Sequence, residues 1–284
     1  MKLFITGSDG FLGSELISQC KAKEIDVVGA DIRSGFDIRK KDIAERISEG
    51  VDAIIHLAGL SNDNMCKKRG YDTFDINVLG TLNLMEAADA RGAKQFIFAS
   101  SEWVYDNCTA DEVKTEESPI NIVNHTSEYA LSKLVSEMNL RQKYQYGFCP
   151  VTILRFGILF GTTGEKKTAV ESLFLAVKEK DEISVGALAS GRCYVHSSDI
   201  AAGILSVMGR TGFDIINLSG DKLITLRDII ETAKKILNKN PKVIETAPEK
   251  VSASNISNAK AKKILNWSPK VTVEMWLKQL SQAA

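Results

Sequence analysis

The stretch KLFITGSDGFLGSEL, Lys2 to Leu16, decides the fold class. Its opening residues, Lys2–Thr6, are apolar and rich in β-formers, and they run straight into Gly7, Gly10 and Gly13. From Phe11 to Lys23 apolar positions then recur at helical spacing. Strand, glycine-bearing turn and helix follow one another with no spare residues. In such a unit one glycine permits the tight turn, a second lets backbone approach a pyrophosphate, and a third lets helix and strand pack closely. The helix start at Phe11, Leu12 and Gly13 offers backbone N–H groups and a partial positive charge to phosphates. Three glycines alone mark a turn; their place after the first strand points to a dinucleotide.

Working outward, the same rhythm repeats. Asp26–Ala30, Ala53–Leu57, Gln95–Ala99 and Val151–Leu154 read as short strands, mostly apolar on both faces, as strands covered by helices on both sides should be. Between them Ile43–Ser48, Tyr71–Arg91 and Ser127–Tyr146 read as helices; in the second, Phe74, Val78, Leu82 and Met85 recur at helical spacing. Strand–helix alternation implies an α/β fold with a doubly wound parallel sheet. Asp31 closes the second strand 18 residues after Gly13 (31 − 13). A carboxylate there accepts hydrogen bonds from a ribose diol and repels a 2′-phosphate, so NAD is expected rather than NADP, with Arg33 nearby softening the preference. The expected NAD-binding domain is 1–156. After it come a glycine-bearing loop (Gly157–Gly164), a helix (Thr168–Lys180), a turn-rich segment, a helix from Ser198, a strand (Asp214–Leu218), a helix (Leu226–Asn238) and a last helix near Val273–Leu280. Residues 157–284 are expected to form mainly a smaller substrate-binding domain, with about 193–218 returning to the first sheet.

The chain has 284 residues, 44% apolar and 25% charged, the mix of a globular protein. Its 36 basic residues balance 36 acidic ones. A neutral chain is a poor match for nucleic acid or an anionic membrane, which require a surplus of Lys and Arg. Five scattered cysteines (Cys20, Cys66, Cys108, Cys149, Cys193) without CxxC spacing suggest reduced thiols rather than a disulfide framework. His56, His125 and His196 form no ligand pair, so no metal site is expected. The start of the chain has no apolar leader core, and no run reaches the ~20 residues that span a bilayer. The expectation is a soluble cytoplasmic protein.

A second constellation carries chemistry. Tyr129 and Lys133 stand four apart in the expected helix SEYALSKLVSE, so both project from one face. The fourth strand runs into FASSEWVYD, which puts Ser100 and Ser101 at the carboxyl edge of the sheet, where such sheets bind ligands. A free tyrosine, with a pKa of ~10, is ionised to about 0.1% at pH 7. A lysine ammonium and a positively charged nicotinamide would depress that pKa and make Tyr129 a base, with Ser101 bonding the reacting oxygen.

At this point the sequence resembles the extended short-chain dehydrogenase/reductases, the NAD-dependent epimerase/dehydratase group that acts mostly on nucleotide sugars. The resemblance spans nearly the whole chain: TGSDGFLG (Thr6–Gly13), Asp31, HLAG (His56–Gly59), NVLGT (Asn77–Thr81), SSEWVY (Ser100–Tyr105), YALSK (Tyr129–Lys133), LRFGILFG (Leu154–Gly161), GRCYVHSSDIA (Gly191–Ala201) and NAKAKKILNWSPK. It implies a Rossmann domain of about seven parallel strands and a smaller C-terminal substrate domain. It makes Tyr129 the catalytic base or acid, with Lys133 orienting the nicotinamide ribose and Ser101 assisting. Leu57, Ala58, Gly59 and Ser100 would lie along the cofactor, and Asn77 would shape the active-site helix and contribute to the cofactor site. Arg192 looks like the arginine that grips a substrate diphosphate. The helices Tyr71–Arg91 and Ser127–Tyr146 match those that pair relatives into homodimers.

The resemblance leaves the reaction open. Dehydratases place a Glu base two residues after the catalytic Ser or Thr, where this chain has Trp103; Glu102 is one residue early and points the other way along a strand. Epimerases usually keep small residues there, so that the sugar can turn. The pattern SEWVYD and Ile158, where epimerases usually have Asn, resemble 4-keto-6-deoxysugar reductases, while YALSK and SSDIA resemble epimerases. Glu102 and Trp103 are expected to face the substrate. The sequence favours a 4-epimerase narrowly over such a reductase, ahead of a dehydratase or a reductase of non-sugar carbonyls.

Overall fold

The computed structural model describes residues 1–105, 111–161 and 167–282. The chain divides into two compact units. The first comprises Met1–Asp106, Pro119–Arg155 and Ala201–Ile216; the second comprises Asn107–Ser118, Phe156–Ile200 and Asn217–Ala284.

The first unit is built on β1 (Lys2–Thr6), β2 (Asp26–Ala30), β3 (Ala53–His56), β4 (Phe96–Ser101), β5 (Val151–Phe156) and β6 (Phe213–Leu218). Their order across the sheet is β6-β5-β4-β3-β1-β2. β1 pairs in parallel with both β2 and β3, and β3 with β4. The chain order reverses beside β1, so the glycine turn lies at the switch point where open sheets of this class take ligands. The sheet has six strands among the described residues, against about seven implied by the resemblance.

β3, β4 and β5 bury every side chain, as strands covered on both faces require. β2 departs from the expectation of two covered faces: it is the edge strand, and Val28 is exposed. Between the strands lie α1 (Phe11–Ala22), α2 (Asp63–Cys66), α3 (Gly70–Phe74), α4 (Gly80–Ala90) and α5 (Glu128–Gln145). Phe4, Ile54, Phe96, Phe98 and Ile153 of the sheet form one core with Leu84 and Met85 of α4 and Leu140 of α5. Each such side chain contributes about 1.5–3 kcal/mol on burial. The helix expected at Ile43–Ser48 is a 3₁₀ helix, Lys41–Arg46.

The helix expected over Tyr71–Arg91 is interrupted by a π-helical turn, Asp75–Leu79, joining α3 to α4. Asn77 sits in that turn, and its side chain bonds the backbone of Leu60: Oδ1 accepts from the Leu60 N–H at 2.8 Å and Nδ2 donates to its carbonyl at 3.1 Å. A widened turn of this kind commonly marks a functional position.

The second unit has its own core, in which Phe174 and Val177 of the helix Ala169–Glu179 meet Ile229 and Ile230 of Leu226–Leu237 and Leu277 of Val273–Gln282. Asp199 organises its tail: Oδ2 accepts the Lys270 and Val271 N–H groups at 2.9 Å, and the Asp199 carbonyl accepts Trp267 Nε1–H at 2.8 Å.

Candidate active site

The glycine turn is held by contacts that only glycine permits. Gly7 adopts φ +72°, and a Cβ there would lie 2.8 Å from the Ala58 nitrogen. A Cβ on Gly13 would lie 2.1 Å from the Gly7 carbonyl oxygen. The turn is thereby pressed against Leu57–Ala58 on one side and the first turn of α1 on the other. Gly10, the N-cap of α1, gives no side-chain bond to the N–H groups of Phe11, Leu12 and Gly13. An anion at this helix start would be held by backbone donors and the helix dipole.

Asp31 lies at the end of β2, 8% exposed. Its Oδ2 accepts from the Asp9 N–H at 3.2 Å and its Oδ1 from the Arg33 N–H at 3.0 Å. The carboxylate therefore clamps the glycine turn and keeps lone pairs for a diol. Arg33 Nη1 donates to the Asp9 carbonyl at 2.6 Å, so this guanidinium is fastened to the same turn. Backbone donors, close-packed glycines and one acceptor carboxylate together suit a dinucleotide.

At the carboxyl end of β4, three consecutive residues meet one face of α5. Lys133 Nζ donates to the Ala99 carbonyl at 2.8 Å and lies 4.9 Å from the centroid of the Phe98 ring. Ser100 Oγ donates to Glu137 Oε1 at 2.5 Å, so this hydroxyl, expected along the cofactor, is directed to α5. Ser101 faces Tyr129 and receives the Trp103 N–H at 3.3 Å. Ser127 caps α5 by accepting from the Ala130 N–H at 3.2 Å, which fixes where Tyr129 emerges. Tyr129 is 7% exposed and packs with Leu60, Cys66 and Trp103, whose ring stands edge-on at 6.4 Å.

Electrostatics here differ from the free amino acids. Burial pushes the Tyr129 hydroxyl up to about 12; the Ser101 hydroxyl works against the rise, and Cys66 and Glu102 add to it. Burial brings the Lys133 ammonium down to about 8, with Cys66 and Glu137 opposing. In the protein alone desolvation thus sets Tyr129 above the free value, whereas the depression expected from the sequence relies on Lys133 and a bound nicotinamide.

Polar side chains of β1, β3, the π turn, α4 and α5 join in one network. His56 Nδ1 bonds Thr6 Oγ1 at 2.7 Å and its Nε2 bonds Thr81 Oγ1 at 2.9 Å. Thr81 Oγ1 donates to the Asn77 carbonyl at 2.6 Å, so the tautomer the network selects is His56 Nε2–H. Asn77 Nδ2 also donates to Ser132 Oγ of α5 at 3.0 Å. Burial, helped by Lys133, lowers the His56 pKa to about 3, so its ring is neutral.

Of the residues expected in the site, the glycine turn, Asp31, Leu57–Gly59, Asn77, Ser100–Trp103, Tyr129 and Lys133 lie in the first unit. Glu102 is buried (1% exposed) and Trp103 is half-buried. Arg192 belongs to the second unit, where Nη1 donates to the carbonyls of Gly191 and Ser252 and Nη2 to Ser252 Oγ. Sequence reading missed Glu137, although its place four residues after Lys133 was a usable signal. It also missed Leu60 and Cys66, which carried none. Cys20, Cys66, Cys149 and Cys193 are free thiols, while Cys108 and Asp106 lie outside the described residues. Among the described residues there is no cluster of metal-ligating side chains.

Known proteins are similar to this chain over most of its length. The UDP-glucuronate 4-epimerase of Thermodesulfobacterium geofontis is 28% identical over 236 residues, covering 81% of this chain and 71% of that protein. The UDP-glucuronic acid decarboxylase 3 of Arabidopsis thaliana is 26% identical over 296 residues, covering 95% and 85%. The UDP-glucose 4-epimerase of Thermus thermophilus, solved in complex with NAD, superposes with a TM-score of 0.85 at 23% identity, covering 98% and 97%. A family profile described as "NAD dependent epimerase/dehydratase family" matches residues 3–219. With its glycine turn, Asp31, Ser101, Tyr129 and Lys133 gathered on one sheet edge, the chain belongs to the NAD dependent epimerase/dehydratase family of enzymes.

Proposed function

We propose that this protein is a nucleotide-sugar 4-epimerase that works through a transient 4-keto sugar, with NAD as its cofactor. The reading rests on the meeting of Ser101, Tyr129 and Lys133 at the end of β4, on the same sheet edge as the glycine turn. The likeness to the Thermodesulfobacterium 4-epimerase supports it. The N–H groups of Phe11, Leu12 and Gly13 would hold the cofactor diphosphate, Asp31 the adenine-side ribose diol, and Leu57–Gly59 the cofactor's flank. When bound, NAD supplies the hydride acceptor and donor. Tyr129 Oη takes the proton of the sugar hydroxyl and returns it, while Ser101 Oγ holds the reacting oxygen. Lys133 Nζ supplies the positive charge that favours the ionised tyrosine. Glu102 and Trp103 line the sugar side, and Arg192 takes the substrate diphosphate.

A second reading, reduction of a 4-keto-6-deoxysugar nucleotide, is favoured by one observation: Trp103 stands against Tyr129 at 6.4 Å, where an epimerase needs room for the sugar to turn. Denaturing the purified protein and identifying the released nucleotide separates the two. An epimerase regenerates its own cofactor and should release NAD; release of none, with NADH oxidised when a 4-keto sugar nucleotide is added, would replace the first reading with the second.

A further inference from the structure

The face of α5 that carries Tyr129 and Lys133 continues one turn further to Glu137, which is fully buried. Glu137 Oε1 accepts from Ser100 Oγ at 2.5 Å and Arg155 Nε at 3.0 Å, and Oε2 accepts from Arg155 Nη2 at 2.6 Å. Arg155, 2% exposed at the end of β5, lies on the Tyr105 ring, 4.7 Å from its centroid. A buried ion pair of this kind is a poor device for stability, because an apolar pair of similar volume does as well. Its place is informative instead. Ser100 is flanked by Ala99, whose carbonyl takes Lys133, and by Ser101, which faces Tyr129.

We propose that Glu137, buttressed by Arg155, is a positioning residue that pins the end of β4 to α5 through Ser100 and holds the buried Lys133 in its ammonium form. This rests on the reading of Tyr129 and Lys133 as the working pair, and concerns groups that nothing above places in the reaction. The ionisable groups that act on the Lys133 ammonium among the described residues are Cys66 of α2, Glu137 of its own helix and His56 of β3, with Arg155 of β5 bonded to Glu137. His56 is neutral, and Asp75 of the π turn is turned to Arg39. β4 offers a carbonyl and the Phe98 ring. Cys66 and Glu137 both oppose the loss of this charge; Glu137 is the carboxylate of the two, itself paired with Arg155, and burial, which brings the lysine down to about 8, gives that opposition its importance.

The test is a ¹³Cε NMR titration of Lys133, assigned by the signal lost in Lys133→Arg, in wild type, Glu137→Gln, Glu137→Gln/Arg155→Met and Glu137→Asp. The double variant removes the pair as a unit, so it folds even where the single variant leaves Arg155 stranded. Removing the carboxylate alone should lower the Lys133 midpoint by roughly one pH unit, and the double variant, which also loses a positive charge, should lower it by less, while Glu137→Asp should keep the wild-type midpoint. In turnover, the rise of kcat with pH should move to lower pH as the plateau falls severalfold, because a smaller share of Lys133 then carries the charge that favours ionised Tyr129 in the proposed reaction. A midpoint unchanged in folded Glu137→Gln, or in the double variant where the single one does not fold, overturns the proposal. Absence of epimerisation in the wild type would overturn the functional reading alone, because the titration reads Lys133 without turnover.

Discussion

Tyr129 is walled by Leu60, Cys66 and Trp103, and that wall decides its chemistry. With its hydroxyl pushed up to about 12, the side chain is a proton donor at neutral pH until positive charge is brought close. In the proposed reaction that charge comes from Lys133 and the nicotinamide. Replacing Tyr129 by Phe removes the proton carrier but keeps the ring against Trp103. The expected result is a fall in kcat of roughly 10²–10⁴-fold, with the melting temperature little changed. Steady-state rates and a thermal melt of the same preparation check both halves. The spacing of Tyr129 and Lys133 was legible in the sequence because a helix turns a four-residue interval into a shared face. The partners were not: Ser100 and Glu137 are 37 residues apart, and only the packing of β4 on α5 joins them.

At the scale of elements, the glycine turn was readable because its demands are local. Gly7 needs a positive φ, and Gly13 must admit the Gly7 carbonyl. Asp31 was readable by its distance along the chain. The π turn at Asp75–Leu79 was not, since its maker is a tertiary bond from Asn77 to the Leu60 backbone. The edge position of β2 escaped for a similar reason, because strand order is not encoded in any one strand. His56 ties β1, through Thr6, to α4, through Thr81, and does so only as a neutral ring. Its pKa is about 3 in the fold, against 6.5 when free. Between these values the unfolded chain binds more protons than the folded one. Stability should therefore rise with pH across this window and be lost as the pH falls through it, at up to about 1.4 kcal/mol per pH unit from this group. Urea unfolding of wild type and His56→Gln between pH 4 and 6 measures this: the variant should show the shallower dependence. Equal slopes would remove His56 from the account.

Over the whole molecule, 36 positive charges against 36 negative ones do not prevent anion binding. In the proposed reaction the task falls to the backbone at the start of α1 and to Arg192. No helix among the described residues is long and apolar enough to cross a membrane. Tyr71, Leu79 and Met138 are exposed apolar side chains on α3, the π turn and α5. We propose that these helices pair two copies of the chain, as the sequence resemblance implies. Light scattering coupled to size-exclusion chromatography should give twice the chain mass at micromolar concentration, and Met138→Lys should shift the protein toward monomer. A monomeric wild type at that concentration would end the proposal.

The central claim is that the site at the end of β4 inverts a sugar carbon and returns the cofactor unchanged. Proton NMR of the anomeric region, recorded while the NAD-loaded protein is incubated with UDP-glucose and with UDP-glucuronate, tests it most directly. The account predicts that the C4 epimer of at least one of them grows in to an equilibrium mixture with no accumulation of NADH. A ketone, pentose or deoxysugar product, or NADH formed in step with substrate loss, would contradict it.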